Sequence, residues 1–151
     1  LDRPRHHDLF KEINTLGAQL HTLSDGDIAA ALWAARPEGD YDMLLGIGAA
    51  PEGVITATAI RGIGGVFEGR LVFRSDAEEA RAANMIDDDL TRLWSARDLC
   101  QSDDAVFVAS GVCDGYLPGV KINQDGTIDT FAEMIDVASR KITRHDRIHN
   151  Q

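Results

Sequence analysis

Gly46-Ile47-Gly48-Ala49-Ala50-Pro51-Glu52-Gly53 is the stretch of this chain best suited to chemistry. Glycines at a strand-to-helix turn let backbone N–H groups approach a ligand closely. Pro51 suits the first helical position, where its missing N–H costs nothing. The start of a helix offers free donors and a partial positive charge, which together make an anion site. Into that site the sequence places an acid, Glu52. Glu52 can simply favour the helix dipole. It can also hold a divalent cation that neutralises a bound phosphate, which makes the turn a candidate metal-assisted phosphate site.

Other groupings are poorer. Asn123, Asp125, Gly126, Ile128 and Asp129 mimic the middle of an EF-hand loop, but Lys121 stands at its first ligand position and Ala132 at its twelfth, with Glu133 one place late. Calcium binding should be poor without those carboxylates, and Asp125-Gly126 reads better as a hairpin turn. His145 and His149 would share a helix face but lack a third ligand for zinc, which suits an exposed tail. His6 and His7 cannot share one helix face. Cys100 and Cys113 form neither a metal spacing nor a nucleophile motif, the plain pattern of reduced thiols. Pro51 stands where the dinucleotide fingerprint needs its third glycine, which leaves a nucleotide-binding reading resting on the glycine turn alone.

These residues need elements to position them. His6 to Leu16 places Leu9, Phe10, Ile13 and Leu16 at helical spacing, and Gly17 is placed to end that helix. Gln19 to Leu23 predicts a short strand. Ser24 or Asp25 can cap a helix from Ile28 to Ala35. Tyr41 to Leu45 is a continuous apolar run that predicts a buried inner strand. A helix then runs from the turn to about Ile63, where Gly64-Gly65 breaks it. Val66 to Arg74 predicts a strand, and Asp76 to Asp87 a charged, exposed helix. Asp87-Asp88-Asp89 reads as a solvated helix end. Ala105 to Ala109 is a second continuous apolar run and a second inner strand. Phe131, Met134, Ile135 and Ala138 have helical spacing, whereas Ile135 to Thr143 is rich in β-branched residues; periodicity leaves helix and strand both open there. Alternating helices and strands favour a single α/β domain over residues 1–151 with a largely parallel sheet.

At 151 residues the chain is long enough for one domain with a real core. Its formal net charge of −10 argues against nucleic acid or anionic membrane as the main partner. Small phosphates, which need only a local basic patch, stay open. No apolar run approaches membrane-spanning length and no signal peptide is visible, so the expected compartment is the cytoplasm. The chain opens on Leu1 rather than Met, which fits a piece of something longer.

Four segments taken in order resemble the class II fructose-1,6-bisphosphatases of bacteria: Leu1-Asp2-Arg3-Pro4-Arg5-His6, Ser24-Asp25-Gly26-Asp27, Leu45 to Gly53, and Asp104 to Val112. The similarity runs from Leu1 to about His149 and covers only the C-terminal half of a family member. It implies a three-layer α/β sandwich with a mostly parallel central sheet, like the C-terminal domain of the sugar-phosphatase superfamily. It also implies strand, not helix, across about Glu133 to Thr143. The implied activity is metal-dependent hydrolysis of the 1-phosphate of fructose-1,6-bisphosphate, with Mn2+ or Mg2+, in gluconeogenesis or carbon fixation. Some relatives also take sedoheptulose-1,7-bisphosphate.

The resemblance assigns roles where residues match. Arg3 and Arg5, with Pro4 between them, fall where the family holds the phosphate away from the reacting one; the family often has Lys where Arg3 stands. Asp25, Gly26 and Asp27 match the sugar-hydroxyl element, although helix capping accounts for the two aspartates without a ligand. Ala49 stands where a second glycine usually lies against the substrate, and Glu52 matches the one metal ligand of this half. No catalytic residue beyond these falls here. The other metal carboxylates belong to an N-terminal half, which would be the partner of this chain. Tyr116 stands where the family usually shows an acid or similar polar residue, and the sequence assigns it no role. A half of an enzyme should expose an unusually apolar face, so self-association into a homo-oligomer is expected. The alternative to an enzyme is a non-catalytic module that binds a sugar phosphate through Arg3, Arg5, Asp25 and Asp27.

Overall fold

Small residues let one helix lie close against a sheet, and the rest of the fold is arranged around that contact. The computed structural model describes residues 1–150; Gln151, the last position of the expected domain, lies outside the described residues. A short 3-10 helix (Pro4–His6) leads into α1 (His7–Thr15), and Gly17 follows with φ 74°, the left-handed turn that closes the helix. Helix α2 (Asp27–Ala35) and helix α3 (Ala50–Ile63) pack on each other, and α3 packs on the sheet. Gly64 ends α3 at φ 85°, and the Gly64 and Gly65 amides both donate to Ile60 O. The face α3 buries is Thr56, Ala57, Ala59, Ile60 and Gly62.

The main sheet is built on a long central strand. Strands β1 (Glu68–Gly69) and β2 (Trp94–Ser95) pair separately, on either side of the exposed helix α4 (Asp76–Met85). Helix α5 (Ala96–Leu99) starts at a Ser95–Asp98 capping box. Strand β5 (Ile128–Asp136) then receives β3 (Val106–Ser110) and β4 (Lys121–Ile122) on one edge and β6 (Ile142–His149) on the other. Phe107 and Ile135 face each other across the ladder and join Leu32 and Ala59 in the core.

The expected mostly parallel sheet is not what these residues form. Every strand pair among the described residues is antiparallel. The connections explain it: β4 reaches β5 through the turn 123–127, and β5 reaches β6 through the turn 137–141. Those two links are too short for a parallel crossover, which needs a dozen residues or more; the longer links from β1 to β2 and from β3 to β5 do not by themselves set the direction. Asp125-Gly126 does make the first turn, with Gly126 at φ 85° and Asp125 accepting from the Thr127 amide at 3.0 Å. The EF-hand likeness dissolves into this hairpin, since Asn123 Nδ2 donates to both Thr127 Oγ1 and Asp129 Oδ1.

The two apolar runs also differ from expectation. Tyr41 to Leu45 is exposed, bent at Asp42 and in no ladder, because no strand among the described residues lies alongside it. The second run forms β3, but as an edge strand buried on one face only: Phe107 is buried while Val106 is 47% and Val108 62% exposed. Gln19 to Leu23 forms no strand, and only Glu68–Gly69 of Val66 to Arg74 pairs. The tail is strand rather than helix, as a hairpin bent between Asp136 and Ile142; the strand period places Glu133, Ile135 and Val137 on the buried face. Helix α3 covers the Phe107–Ile135 face, so the described residues form two layers, and the Val106–Val108 face carries no helix.

Gly62 marks the closest approach. A Cβ there would stand 2.3 Å from Ile135 Cγ2. Gly62→Ala is expected to destabilise the chain by about 1–3 kcal/mol, because the fully buried Ile135 must move or the helix must lift. Urea denaturation checks this, and a variant as stable as the parent would show that Ile135 retreats freely.

Candidate functional site

Three segments distant in sequence meet at the start of α3. They are the arm 1–6, the loop 24–27 and the turn 46–52. The arm is pinned first: the Asp2 amide donates to Leu23 O at 2.8 Å, and Arg3 donates through Nη2 to Ser24 O at 2.8 Å and through Nη1 to Asp2 O at 2.8 Å. Arg3 is half-buried and commits two donors to backbone. Pro4 opens the 3-10 helix, where its fixed φ fits. Arg5 is exposed and donates through Nε to Ile47 O at 2.8 Å, and its terminal amino groups have no protein partner among the described residues. Of the two arginines, Arg5 therefore presents the open planar fork that suits phosphate oxygens.

His6 completes the junction. Its ring is 1% exposed, and it accepts from the Ile47 amide at Nε2 over 2.8 Å. Its Nδ1 lies 2.6 Å from Leu1 O. Sequence reasoning passed over His6, since its partner lies 41 residues away and nothing beside it in sequence signals burial.

The loop carries the two aspartates. Gly26 precedes α2 at φ 84°, and no side chain caps that helix. Asp25 Oδ1 accepts from the Gly26 amide at 2.9 Å, and Asp27 Oδ1 accepts from the Ile28 amide at 3.0 Å. Each carboxylate thus turns one oxygen to the next amide along the chain; Asp27 satisfies the first-turn amide of Ile28, but neither aspartate stands at the N-cap, which is Gly26. The second oxygen of Asp27 sits beside the glycine turn: a Cβ on Gly48 would stand 3.3 Å from it. A methyl group at position 48 would require that oxygen to give by a few tenths of an ångström.

The turn delivers α3. Ala49 is its exposed N-cap, extended at φ −81° and ψ 157°, and it provides no side-chain cap. Glu52 lies in the first turn, and its Oε2 is buried with no hydrogen-bond partner. A carboxylate oxygen buried without a partner is costly unless something else neutralises it. That is the chemistry of an oxygen ligand for a hard divalent cation. Among the described residues no group of three or more His, Cys, Asp or Glu side chains is placed to hold a metal, so a cation at Glu52 would need further ligands from elsewhere.

All of the candidate residues Arg3, Pro4, Arg5, Asp25, Gly26, Asp27, Ala49 and Glu52 lie on these three segments. The arrangement combines an open guanidinium, carboxylate oxygens for hydroxyl groups, an uncapped helix start and one orphaned carboxylate oxygen. Such a set can hold a phosphorylated polyol next to a cation.

The sequence model of the family described as bacterial fructose-1,6-bisphosphatase, glpX-encoded, matches residues 1–149. The D-fructose 1,6-bisphosphatase class 2/sedoheptulose 1,7-bisphosphatase of Synechococcus sp. (strain RCC307) is 36% identical over 163 residues, covering 99% of this chain and 48% of that protein. The protein of the same name from Prochlorococcus marinus (strain MIT 9301) is 38% identical over 139 residues, covering 83% of this chain and 42% of its own length. The chain thus spans about half the length of the curated relatives it matches.

Proposed function

This chain belongs to the glpX-encoded bacterial fructose-1,6-bisphosphatase family, and we propose that it is the C-terminal, substrate-binding half of a metal-dependent sugar bisphosphatase. The observation that carries the reading is the convergence of arm and loop on Ile47 and Gly48, the turn that leads into α3, whose first turn carries the orphaned Glu52 oxygen. In this reading Arg5, backed by Arg3, holds the phosphate remote from the reaction, and Pro4 fixes the arm. Asp25 and Asp27, with Gly26 giving the loop its turn, accept hydrogen bonds from sugar hydroxyls. Ala49 lies against the substrate, and Glu52 holds Mg2+ or Mn2+. When bound, such a cation polarises the phosphoryl oxygens and acidifies a bound water for hydrolysis of the 1-phosphate. Orienting the sugar at both ends converts the hydrolysis into a positioned event.

The substrate proposed is fructose-1,6-bisphosphate, with sedoheptulose-1,7-bisphosphate as the relative's second substrate, in gluconeogenesis or carbon fixation. The working compartment proposed is the cytoplasm; among the described residues no helix is long and apolar enough to cross a membrane. The partner proposed is an N-terminal half that supplies the remaining metal carboxylates and completes a single α/β unit with this chain. Exposed Val106, Val108, Val112 and Ile122 support such a partner or a homo-oligomer.

The single metal carboxylate also favours a second reading, in which the chain binds a sugar phosphate without turning it over. One experiment separates them. The 151-residue chain alone is expected to release no phosphate from fructose-1,6-bisphosphate with Mg2+ or Mn2+, and the full-length protein carrying it is expected to do so. Metal-dependent release by the chain alone would overturn the half-site reading. A full-length protein that binds the sugar bisphosphate in calorimetry yet never releases phosphate would leave the binding module standing.

A further inference from the structure

We propose that His6 is a positioning residue, which grips the Ile47 peptide in one neutral tautomer and so sets the start of α3 against the arginine arm. The inference rests on the functional reading above only for its kinetic consequence.

Ile47 is held from both sides by consecutive residues. Its carbonyl accepts from Arg5 Nε at 2.8 Å, and its amide donates to His6 Nε2 at 2.8 Å. The donor and acceptor inventory fixes the ring. An amide N–H can only donate, so Nε2 must be the unprotonated nitrogen. Leu1 O can only accept, so Nδ1 must carry the hydrogen and donate it across 2.6 Å. The ring is buried beside Phe10, with centroids 6.2 Å apart, so neither nitrogen has water as a substitute partner. Gly46 packs beside the ring, where a Cβ would make only an ordinary contact, 3.5 Å from Nε2.

The bond acts on the site through the backbone. Ile47 is followed by Gly48, which packs on Asp27, then by Ala49 and the first turn with Glu52. Neither Ala49 nor any other side chain caps α3, so no cap fixes where that helix begins. Fixing the Ile47 peptide fixes the entry into α3, and with it the place of the Glu52 carboxylate relative to Arg5. The role parallels the outer-shell partners that orient metal ligands, whose removal typically costs ~10–100-fold in metal affinity or activity.

The test compares His6→Leu, which fills the space without an acceptor, with His6→Gln, which keeps an amide oxygen within reach of the Ile47 amide. Hydrogen exchange of the full-length protein without substrate or metal is read at the 46–52 turn. Exchange there is expected to quicken ~10-fold in His6→Leu and by much less in His6→Gln, with α4 unchanged in both. The metal concentration for half-maximal phosphate release should rise ~10-fold in His6→Leu and recover in His6→Gln. A merely structural role would lower the active fraction without moving that concentration. Long-range 1H–15N spectra of the parent should show His6 protonated at Nδ1 alone. A turn that stays protected in His6→Leu, or a ring protonated at Nε2, would overturn the proposal even if the enzyme is active. A loosened turn in a protein that turns over no sugar bisphosphate would uphold the latch and sink the functional reading instead.

Discussion

Arg36→Leu is expected to lower the stability of this chain by about 3–5 kcal/mol, among the largest effects of any single substitution outside the site. Glu133 is fully buried on β5, and its Oε1 accepts from Arg36 Nη2 at 2.6 Å and from the Tyr116 hydroxyl at 2.5 Å. Burial and the hydrogen bond to Glu133 push the Tyr116 phenol well above its ordinary range, which keeps it a donor. Arg36 also lies over the Tyr116 ring, 5.3 Å from its centroid. The cluster joins the residue after α2, the 111–120 loop and the central strand. Arg144 stands 3.4 Å from the second Glu133 oxygen but is mostly exposed, so it screens the charge weakly. Losing Arg36 leaves a buried carboxylate with one neutral donor and one long, largely exposed ion pair to Arg144. The double variant Arg36→Leu with Glu133→Leu should recover much of the loss, because replacing both members removes the stranded charge. Urea unfolding of the parent, the single and the double variant measures this. A single variant within ~1 kcal/mol of the parent would mean that Tyr116 and Arg144 suffice as partners for Glu133.

That cluster also shows which features a sequence reading reaches. Helix ends were legible because their signals are local: Gly17, Pro51 and the Gly64-Gly65 pair all act within a few residues. The Asp125-Gly126 turn was legible for the same reason. Partners 97 and 17 residues away, as for Glu133 with Arg36 and Tyr116, leave no periodic trace. His6 and Ile47 are separated in the same way. The sheet was misread because alternating helices and apolar runs suggest parallel crossovers, whereas pairing direction is decided by short connections such as 123–127 and 137–141. Tyr41 to Leu45 has strand composition without a strand beside it. At the site, the residues named from the family resemblance do fall on three adjoining segments, yet composition and spacing alone pointed only to the glycine turn and Glu52.

In the full-length enzyme, Glu52→Gln is expected to reduce turnover by ~100-fold or more, and Arg5→Ala far less. The amide keeps the shape of Glu52 but loses the charge that a divalent cation needs, and its NH2 group would meet the buried place now held by the unpartnered Oε2. In the proposed function a cation at that position would stabilise charge that develops only in the transition state, so its weakening would fall on kcat. Arg5 would grip the phosphate that does not react, so its loss should appear largely as a raised KM. Its bond to Ile47 O adds a structural share, which circular dichroism and the His6 variants allow to be subtracted. Steady-state kinetics across Mg2+ and Mn2+ concentrations resolve the two. Partial rescue of Glu52→Gln by excess metal would support ligation at a weakened site. Unchanged turnover and metal dependence would return Glu52 to a first-turn acid that merely favours the helix dipole, worth no more than a few tenths to about 1 kcal/mol of helix stability. Loss of all turnover in Arg5→Ala at unchanged KM would reverse the two roles, because a remote anchor cannot remove kcat alone while binding stays intact.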